Sequence, residues 1–304
     1  MMASVFSNLD SNIQKVLLIK KIETPTEPQI KAIPHILKGS NVLLIAPTGH
    51  GKTEAALLPI FHNFLKEKQK EDFKKEKGVS ILYITPLRAL NRDMLRRTLE
   101  WGKQLEIDIA VRHGDTSQSE RARQSRHPPD MLITTPETMQ ILFIGRNLKK
   151  YLQKVRWVIV DEIHELAGDE RGAQLAVALE RLEEITNIKN HTFQRIGLSA
   201  TVGSPTEVSF FLGGIENNKP RDVTVLEVDV TKHIEISVDL PTVVKSDYHI
   251  ANKLSMEPAS FASLRRCKEL IDDHVSTLLF INTRDGAEIL SFRFHIWEKD
   301  YPIG

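Results

Sequence analysis

Two short segments, each placed directly behind an apolar run, constrain this chain more than anything else in it. The first is Ala46-Pro47-Thr48-Gly49-His50-Gly51-Lys52-Thr53. It follows Val42-Leu43-Leu44-Ile45, which reads as a buried strand, and precedes Glu54-Ala55-Ala56-Leu57-Leu58, which reads as a helix start. A strand, a glycine-bearing loop and a helix in succession can cradle phosphate. Gly49 and Gly51 let the backbone turn its N–H groups onto phosphate oxygens, and the helix N-terminus behind them favours negative charge. Lys52 is expected to reach β- and γ-phosphates, and Thr53 to offer its hydroxyl to Mg²⁺. Ala46 stands where the commonest pattern of this kind has its first glycine. The predicted nucleotide-holding set from this segment is Ala46, Thr48, Gly49, His50, Gly51, Lys52, Thr53 and Glu54.

The second segment is Asp161-Glu162-Ile163-His164, behind the unbroken apolar run Trp157-Val158-Ile159-Val160. Such a run suits a parallel strand buried on both faces. Its carboxylates then sit at the C-terminal edge, where open α/β sheets bind ligands. Asp161 is expected to hold Mg²⁺ and Glu162 to orient and polarise an attacking water, so the catalytic candidates are Lys52, Asp161, Glu162 and His164. Alone, Asp-Glu at a helix start is a favourable dipole arrangement, and Gly-Lys-Thr is a turn. In this order, each behind a buried strand, they point to ATP hydrolysis.

The rest of the chain supplies a sheet to hold them. Apolar runs at 81–84, 107–111, 131–133, 157–160 and 195–198 alternate with helical stretches, the pattern of a parallel sheet flanked by helices. A short helix is expected over 11–20 and another over 30–37, with the charge run 66–77 as a solvated helix end and loop. Gly213-Gly214 and Asn217-Asn218-Lys219-Pro220 read as a linker. The expected organisation is an N-terminal extension over 1–22, an α/β domain over 23–213, and a linker with an incomplete second domain over 214–304. Segments 223–228 and 233–238 alternate as half-buried strands, and 275–281 is a buried-strand candidate followed by a helix from about Ala287.

Composition narrows the partners only a little. Of 304 residues, 41 are Lys or Arg and 40 are Asp or Glu, so a nucleic-acid surface would have to be local. The single cysteine, Cys267, excludes an internal disulfide and a cysteine-rich zinc site and fits a reducing cytoplasm. No stretch approaches the ~18 consecutive apolar residues of a membrane helix, and no signal pattern opens the chain. A soluble, cytoplasmic protein is expected.

In order, and over nearly the whole chain, these segments resemble superfamily 2 helicases. Gln29, in Pro25-Thr26-Glu27-Pro28-Gln29, matches the glutamine that reads adenine in that family; an amide can donate and accept at the N6/N7 edge. Thr85-Pro86-Leu87-Arg88-Ala89-Leu90, His113-Gly114-Asp115-Thr116 and Thr134-Thr135-Pro136-Glu137 resemble its strand-end loops that grip a nucleic-acid backbone. The resemblance thus implies contacts from Pro86, Arg88, Gly114, Asp115, Thr116, Thr134, Thr135 and Pro136. Without it each loop is an ordinary βα connection, and Thr-Pro-Glu a helix cap. Ser199-Ala200-Thr201 resembles the segment coupling the ATP site to strand separation, with the Ser199 and Thr201 hydroxyls bonding the nearby carboxylate box. Asn282-Thr283-Arg284 matches a nucleic-acid-contacting loop at the start of a second RecA-like domain.

Within the superfamily the chain is most similar to the Lhr, or large helicase-related, group of archaea and bacteria. The similarity rests on Gly51-Lys52-Thr53-Glu54-Ala55-Ala56, Pro86-Leu87-Arg88-Ala89-Leu90-Asn91-Arg92-Asp93, Asp161-Glu162-Ile163-His164-Glu165-Leu166 and Val202-Gly203-Ser204-Pro205. It implies an α/β RecA-like parallel sheet flanked by helices, followed by the start of a second RecA-like domain. It further implies an ATP- and Mg²⁺-dependent translocase, monomeric, moving 3′ to 5′ on single-stranded DNA. Such a motor unwinds DNA or DNA–RNA duplexes in repair or recombination. His50 stands where Lhr-like loops often carry a small residue, and is expected to point to solvent. The family's later motifs, including arginines that reach the γ-phosphate, are expected beyond Gly304. A non-catalytic nucleic-acid-binding module and a related superfamily 2 RNA helicase are the competing readings.

Overall fold

The computed structural model describes residues 4–71, 73, 77–86, 92–188, 190–228, 235–299 and 301. The chain divides into two units, 1–231 and 232–304. Unit 1 is built on seven strands: β1 (Val42–Ile45), β2 (Ile81–Ile84), β3 (Ile109–Arg112), β4 (Met131–Thr134), β5 (Trp157–Val160), β6 (Gln194–Ser199) and β9 (Thr224–Glu227). They form one sheet in the order β3-β4-β2-β5-β6-β1-β9, and every neighbouring pair in it is parallel. The apolar runs are unbroken because both faces of the sheet are covered. Val42, Leu44, Ile81, Tyr83, Trp157 and Ile159 join one buried cluster, while Leu43, Leu82, Ile84, Val158 and Val160 join another. The alternation is that of a pleated strand, whose successive side chains leave opposite faces.

The first face packs on α1 (Ser11–Ile19), α2 (Glu27–Leu37), α3 (Lys52–Lys68) and α4 (Arg92–Leu105). The polar α5 (Gln118–Arg126) follows β3. The second face packs on α6 (Pro136–Leu142), α7 (Arg146–Leu152), α8 (Glu170–Asn187) and α9 (Pro205–Gly213). Short 3₁₀ turns occupy Val5–Asn8 and Ile163–Glu165.

Two expected boundaries are corrected. Residues before 23 are part of the domain, because Phe6, Leu9, Ile13, Val16 and Leu17 are buried in the first cluster with α2 and α3. Nor does the domain stop at Gly213. The glycine- and asparagine-rich stretch is a tight hairpin of β7 (Ile215–Glu216) and β8 (Lys219–Pro220), turned by Asn217 and Asn218 at φ 50° and 61°. The chain then re-enters the sheet as β9 beside β1. A buried ionic cluster anchors this return. Arg195 of β6 donates to Glu183 at 2.9 Å, to Glu180 at 3.2 Å and to the Leu212 carbonyl at 3.2 Å, while Arg221 donates to Glu180 at 2.9 Å.

Unit 2 contains α10 (Lys245–Lys253), α11 (Pro258–Asp272) and α12 (Arg284–Trp297), packed through Leu254, Phe261, Leu264 and Phe294. The strand expected over 275–281 is not formed, and Val275, Leu278 and Phe280 are exposed. A strand needs a neighbour to satisfy its ladder, and none is available among the described residues of unit 2. Of the strand expected over 233–238, residues 233 and 234 lie outside the described set, and 235–238 are irregular and exposed.

The Arg195 side chain is 1% exposed and its partner Glu183 6% exposed, so removing the cation strands a buried carboxylate. Arg195→Ala is expected to cost about 3–5 kcal/mol in urea unfolding. Arg221→Ala, whose partner Glu180 is 43% exposed, should cost roughly 1 kcal/mol or less. Equal losses from the two would refute this division.

Candidate nucleotide-binding cleft

β1 ends at Ile45 and α3 begins at Lys52, leaving residues 46–51 as a loop at the C-terminal edge of the sheet. Gly49 and Gly51 both have φ of +78°, the left-handed region that favours glycine. At Gly51 a Cβ would also lie 2.6 Å from Gln29 Nε2 and 3.1 Å from Thr26 Oγ1. Those two residues hold the loop from the α2 side. Thr26 Oγ1 donates to His50 O at 2.9 Å, and Gln29 Nε2 donates to Gly51 O at 3.4 Å while its Oε1 accepts from Thr26 N at 3.0 Å. The Gln29 amide is therefore engaged with the loop rather than standing free toward a base. His50, expected to point to solvent, is partly exposed but places Nδ1 2.9 Å from Thr48 O.

Lys52 is buried, and its Nζ donates to Ala46 O at 2.7 Å. Burial pulls its pKa below the ordinary lysine value, against the opposing pull of Glu162 and Asp161. Facing it at the end of β5, Asp161 accepts from Tyr83 Oη at 2.6 Å through Oδ2 and from Glu162 N at 2.9 Å through Oδ1. Burial raises the Asp161 pKa, and the Tyr83 bond works against that rise. Glu162 is held at φ 47°, a strained conformation for a residue with a side chain. Burial, and then the neighbouring Asp161 charge, raise its pKa. Its Oε2 is buried and makes no hydrogen bond; His164 Nδ1 lies 3.5 Å away, which is an ion pair only when the imidazole is protonated. His164 Nδ1 also meets Ser199 Oγ at 3.0 Å, and Ser199 Oγ donates to Thr201 O at 3.1 Å. Ser199 thus reaches the box through His164 rather than through its carboxylates. Thr201 contributes its carbonyl while its side chain is exposed.

Thr48, Gly49, Gly51, Lys52, Thr53 and Glu54 meet Asp161 and Glu162 around one cavity of about 250 Å³, closed on another side by Met94 and Arg97 of α4. Ala46 lies beneath as the Lys52 acceptor. The loop with two left-handed glycines fits a polyphosphate, and the hard oxygens of Thr53 and Asp161 fit Mg²⁺ completed by phosphate and water.

The loops expected to grip nucleic acid follow β2, β3 and β4, which are adjacent in the sheet. Pro86 is described and buried, whereas Arg88 lies outside the described residues. Gly114 and Asp115 are exposed at the tip of their loop, where Thr116 Oγ1 accepts from His113 N at 2.9 Å. Arg121 braces that loop, donating to the carbonyls of His113, Gly114 and Thr116 at 3.2, 2.6 and 2.9 Å. The Thr134 and Thr135 hydroxyls are committed internally. Thr134 donates to Arg112 O at 2.9 Å, and Thr135 caps α6 by accepting from Thr138 N at 3.4 Å ahead of the buried Pro136. That loop offers its backbone, not its side chains. In unit 2, Thr283 caps α12 by accepting from Gly286 N at 3.1 Å, and the exposed Arg284 pairs with Glu288 on its own helix; Asn282 precedes them, also exposed.

The DEAD/DEAH box helicase family matches residues 26–208, spanning the loop, the carboxylate box and Ser199. The chain belongs to that family. The ATP-dependent helicase Lhr-Core of Methanothermobacter thermautotrophicus is 39% identical over 274 residues, covering 86% of this chain and 30% of that protein. The Lhr helicase/uracil glycosylase of Escherichia coli is 32% identical over 318 residues, 96% of this chain and 20% of that protein. Among solved structures, the Mycobacterium smegmatis helicase Lhr bound to single-stranded DNA and AMP-PNP superposes with a TM-score of 0.72 at 30% identity, covering 98% of this chain and 37% of that one. The chain thus spans less than a third of the length of the two curated relatives it matches. No described helix of this DEAD/DEAH box helicase chain is long and apolar enough to cross a membrane.

The residues missed in the sequence are Thr26, Tyr83, Met94 and Arg97 at the cleft and Arg121 at the loop after β3. Thr26 had a legible signal, Thr-x-x-Gln, the pattern of a capping box. Arg121 looked like one of several arginines on a polar helix, and Tyr83 like one more core residue of β2.

The raised carboxylates set a pH signature. A carboxyl whose native pKa lies above its unfolded value holds more protons folded than unfolded within that window, so its ionisation lowers stability as pH rises through the native pKa. Glu162→Gln should therefore raise Tm at pH 7, with the gain shrinking below about pH 4, near the ordinary carboxylate value. Thermal melts at pH 4 and pH 7 check this, and no gain at pH 7 would contradict it.

Proposed function

We propose that this chain is the ATP-binding motor part of a helicase that couples hydrolysis to 3′-to-5′ movement along single-stranded DNA. Its work would be the unwinding of DNA or DNA–RNA duplexes in repair or recombination, as a cytoplasmic monomer. One observation carries the reading: Lys52 and Thr53 of one segment and Asp161 and Glu162 of the other line a single small cavity at the sheet's C-terminal edge.

Lys52 exchanges the Ala46 carbonyl for phosphate oxygens, a favourable trade for a desolvated cation. Gln29 moves from the Gly51 carbonyl to the base edge, so the loop feels directly whether adenine is present. Thr53 and Asp161 would hold Mg²⁺, which would supply positive charge to the phosphates. Glu162, with a free oxygen and a raised pKa, accepts the proton of the attacking water. His164 links that carboxylate to Ser199 on β6, giving a path by which the phosphate site reaches the 199–201 loop. The loops after β2, β3 and β4 hold nucleic acid through backbone N–H groups and the exposed Gly114-Asp115 tip; in unit 2, taken by itself, Asn282, Thr283 and Arg284 are the residues assigned to nucleic-acid contact. Support for DNA comes from the Mycobacterium relative solved on single-stranded DNA.

Lys52→Ala should abolish ATP binding. Glu162→Gln should keep ATP and single-stranded DNA binding while lowering DNA-stimulated turnover by about 10²- to 10⁴-fold. Hydrolysis assays alongside displacement of 3′- and 5′-tailed duplexes test the reading. Wild-type turnover in Glu162→Gln would sink the base assignment, and preference for a 5′ tail would sink the polarity.

A further inference from the structure

We propose that Tyr83 is a positioning residue of the Mg²⁺–nucleotide site, its phenol holding Asp161 in the orientation that receives the cation. The proposal rests on the ATP and Mg²⁺ reading above and adds a residue to it. Tyr83 is the one polar side chain in β2, among Ile81, Leu82 and Ile84. It is 0% exposed, so its hydroxyl needs an internal partner, and phenylalanine would fill the same space without that demand.

The sheet supplies the partner by register. Tyr83 lies opposite Ile159, so Asp161, two residues further along, leaves the same face of the sheet. The phenol reaches diagonally across and donates to Asp161 Oδ2 at 2.6 Å. Tyr83 thus ties the carboxylate segment to β2 behind the cavity.

The hydrogen bond has a direction, since the phenol donates and the carboxylate accepts. Asp161 Oδ2 is oriented by that bond and keeps its remaining lone pair for a cation. Asp161 Oδ1 is held separately by Glu162 N at 2.9 Å, so the carboxylate is fixed at both oxygens before any ligand arrives. Supporting bonds of this kind orient metal ligands and typically account for 10- to 100-fold in metal affinity.

The test is a Mg²⁺ titration of fluorescent ATP-analogue binding to the full chain and its Tyr83→Phe variant. The variant should keep the wild-type near-ultraviolet circular dichroism and its nucleotide affinity in EDTA to within about twofold. The Mg²⁺ concentration for half-maximal enhancement should rise about 10-fold. In an Asp161→Asn background, Tyr83→Phe should add nothing. An unchanged Mg²⁺ midpoint, or an additive loss in the double variant, overturns the role of Tyr83. Binding by the wild-type chain that ignores Mg²⁺ overturns instead the ATP and Mg²⁺ reading on which it rests. As a measurement independent of the variant's folding, Mn²⁺ with nucleotide should broaden the Tyr83 ring resonance of the wild-type chain carrying ¹³C-tyrosine, and an unbroadened resonance overturns the proposal.

Discussion

Ala46 N donates to Ser199 O at 3.0 Å, and Asp161 N donates to Ile84 O at 2.8 Å. These two backbone bonds carry the parallel ladders one residue past the strands, and the cleft depends on them. The first pins the start of the phosphate loop to the end of β6. The second pins the carboxylate box to the end of β2. Because β6 lies between β1 and β5, the same ladders fix how far apart the two segments stand. Thr85 N continues the pattern to Thr134 O at 3.0 Å, and Val228 N to Ile45 O at 2.9 Å. The chain therefore leaves β1, β2, β5 and β9 at one level, as expected where ligands bind beyond the carboxyl ends of parallel strands.

That rigidity supports groups that do not stabilise the fold. Lys52 loses solvation, Asp161 and Glu162 sit close together with raised pKa values, and Glu162 keeps both a left-handed backbone and an unbonded oxygen. Each is costly in a folded chain. Together they form a site poised for a charged ligand that supplies what the protein withholds: phosphate oxygens for Lys52 and a cation for the carboxylates. The contrast with Arg195 is instructive. There a buried cation is paired through its two terminal nitrogens with Glu183, Glu180 and a carbonyl, and the cluster holds the domain together instead of awaiting a partner.

Much of this was legible in the sequence because strand burial leaves a direct trace. The runs 42–45 and 157–160 are apolar at every position, as a strand covered on both faces requires; the letters of 42–45 recur at 16–19 in helix α1, so it is the loop segments behind the two runs that mark them as strands. The glycines of the loop were legible for a similar reason, since φ of +78° at 49 and 51 excludes most other residues. Illegible were features that arise only from pairing. Tyr83 reads as core until the register sets it beside Asp161. The 213–220 stretch reads as a linker because its glycines and asparagines are the same ones a hairpin uses. The strand at 275–281 fails for the converse reason, since its pattern is that of a buried strand but nothing described in unit 2 pairs with it. The N-terminal 22 residues are rich in apolar positions, but nothing in their order says which face of the sheet they cover.

The central claim is that the two segments form one nucleotide site. A crystal structure of this chain with Mg²⁺ and a non-hydrolysable ATP analogue tests it most directly. Lys52 Nζ should leave the Ala46 carbonyl for a phosphate oxygen, with the cation between Thr53 Oγ1 and Asp161. Nucleotide bound elsewhere, or Lys52 still on Ala46 O beside a bound triphosphate, would contradict the claim.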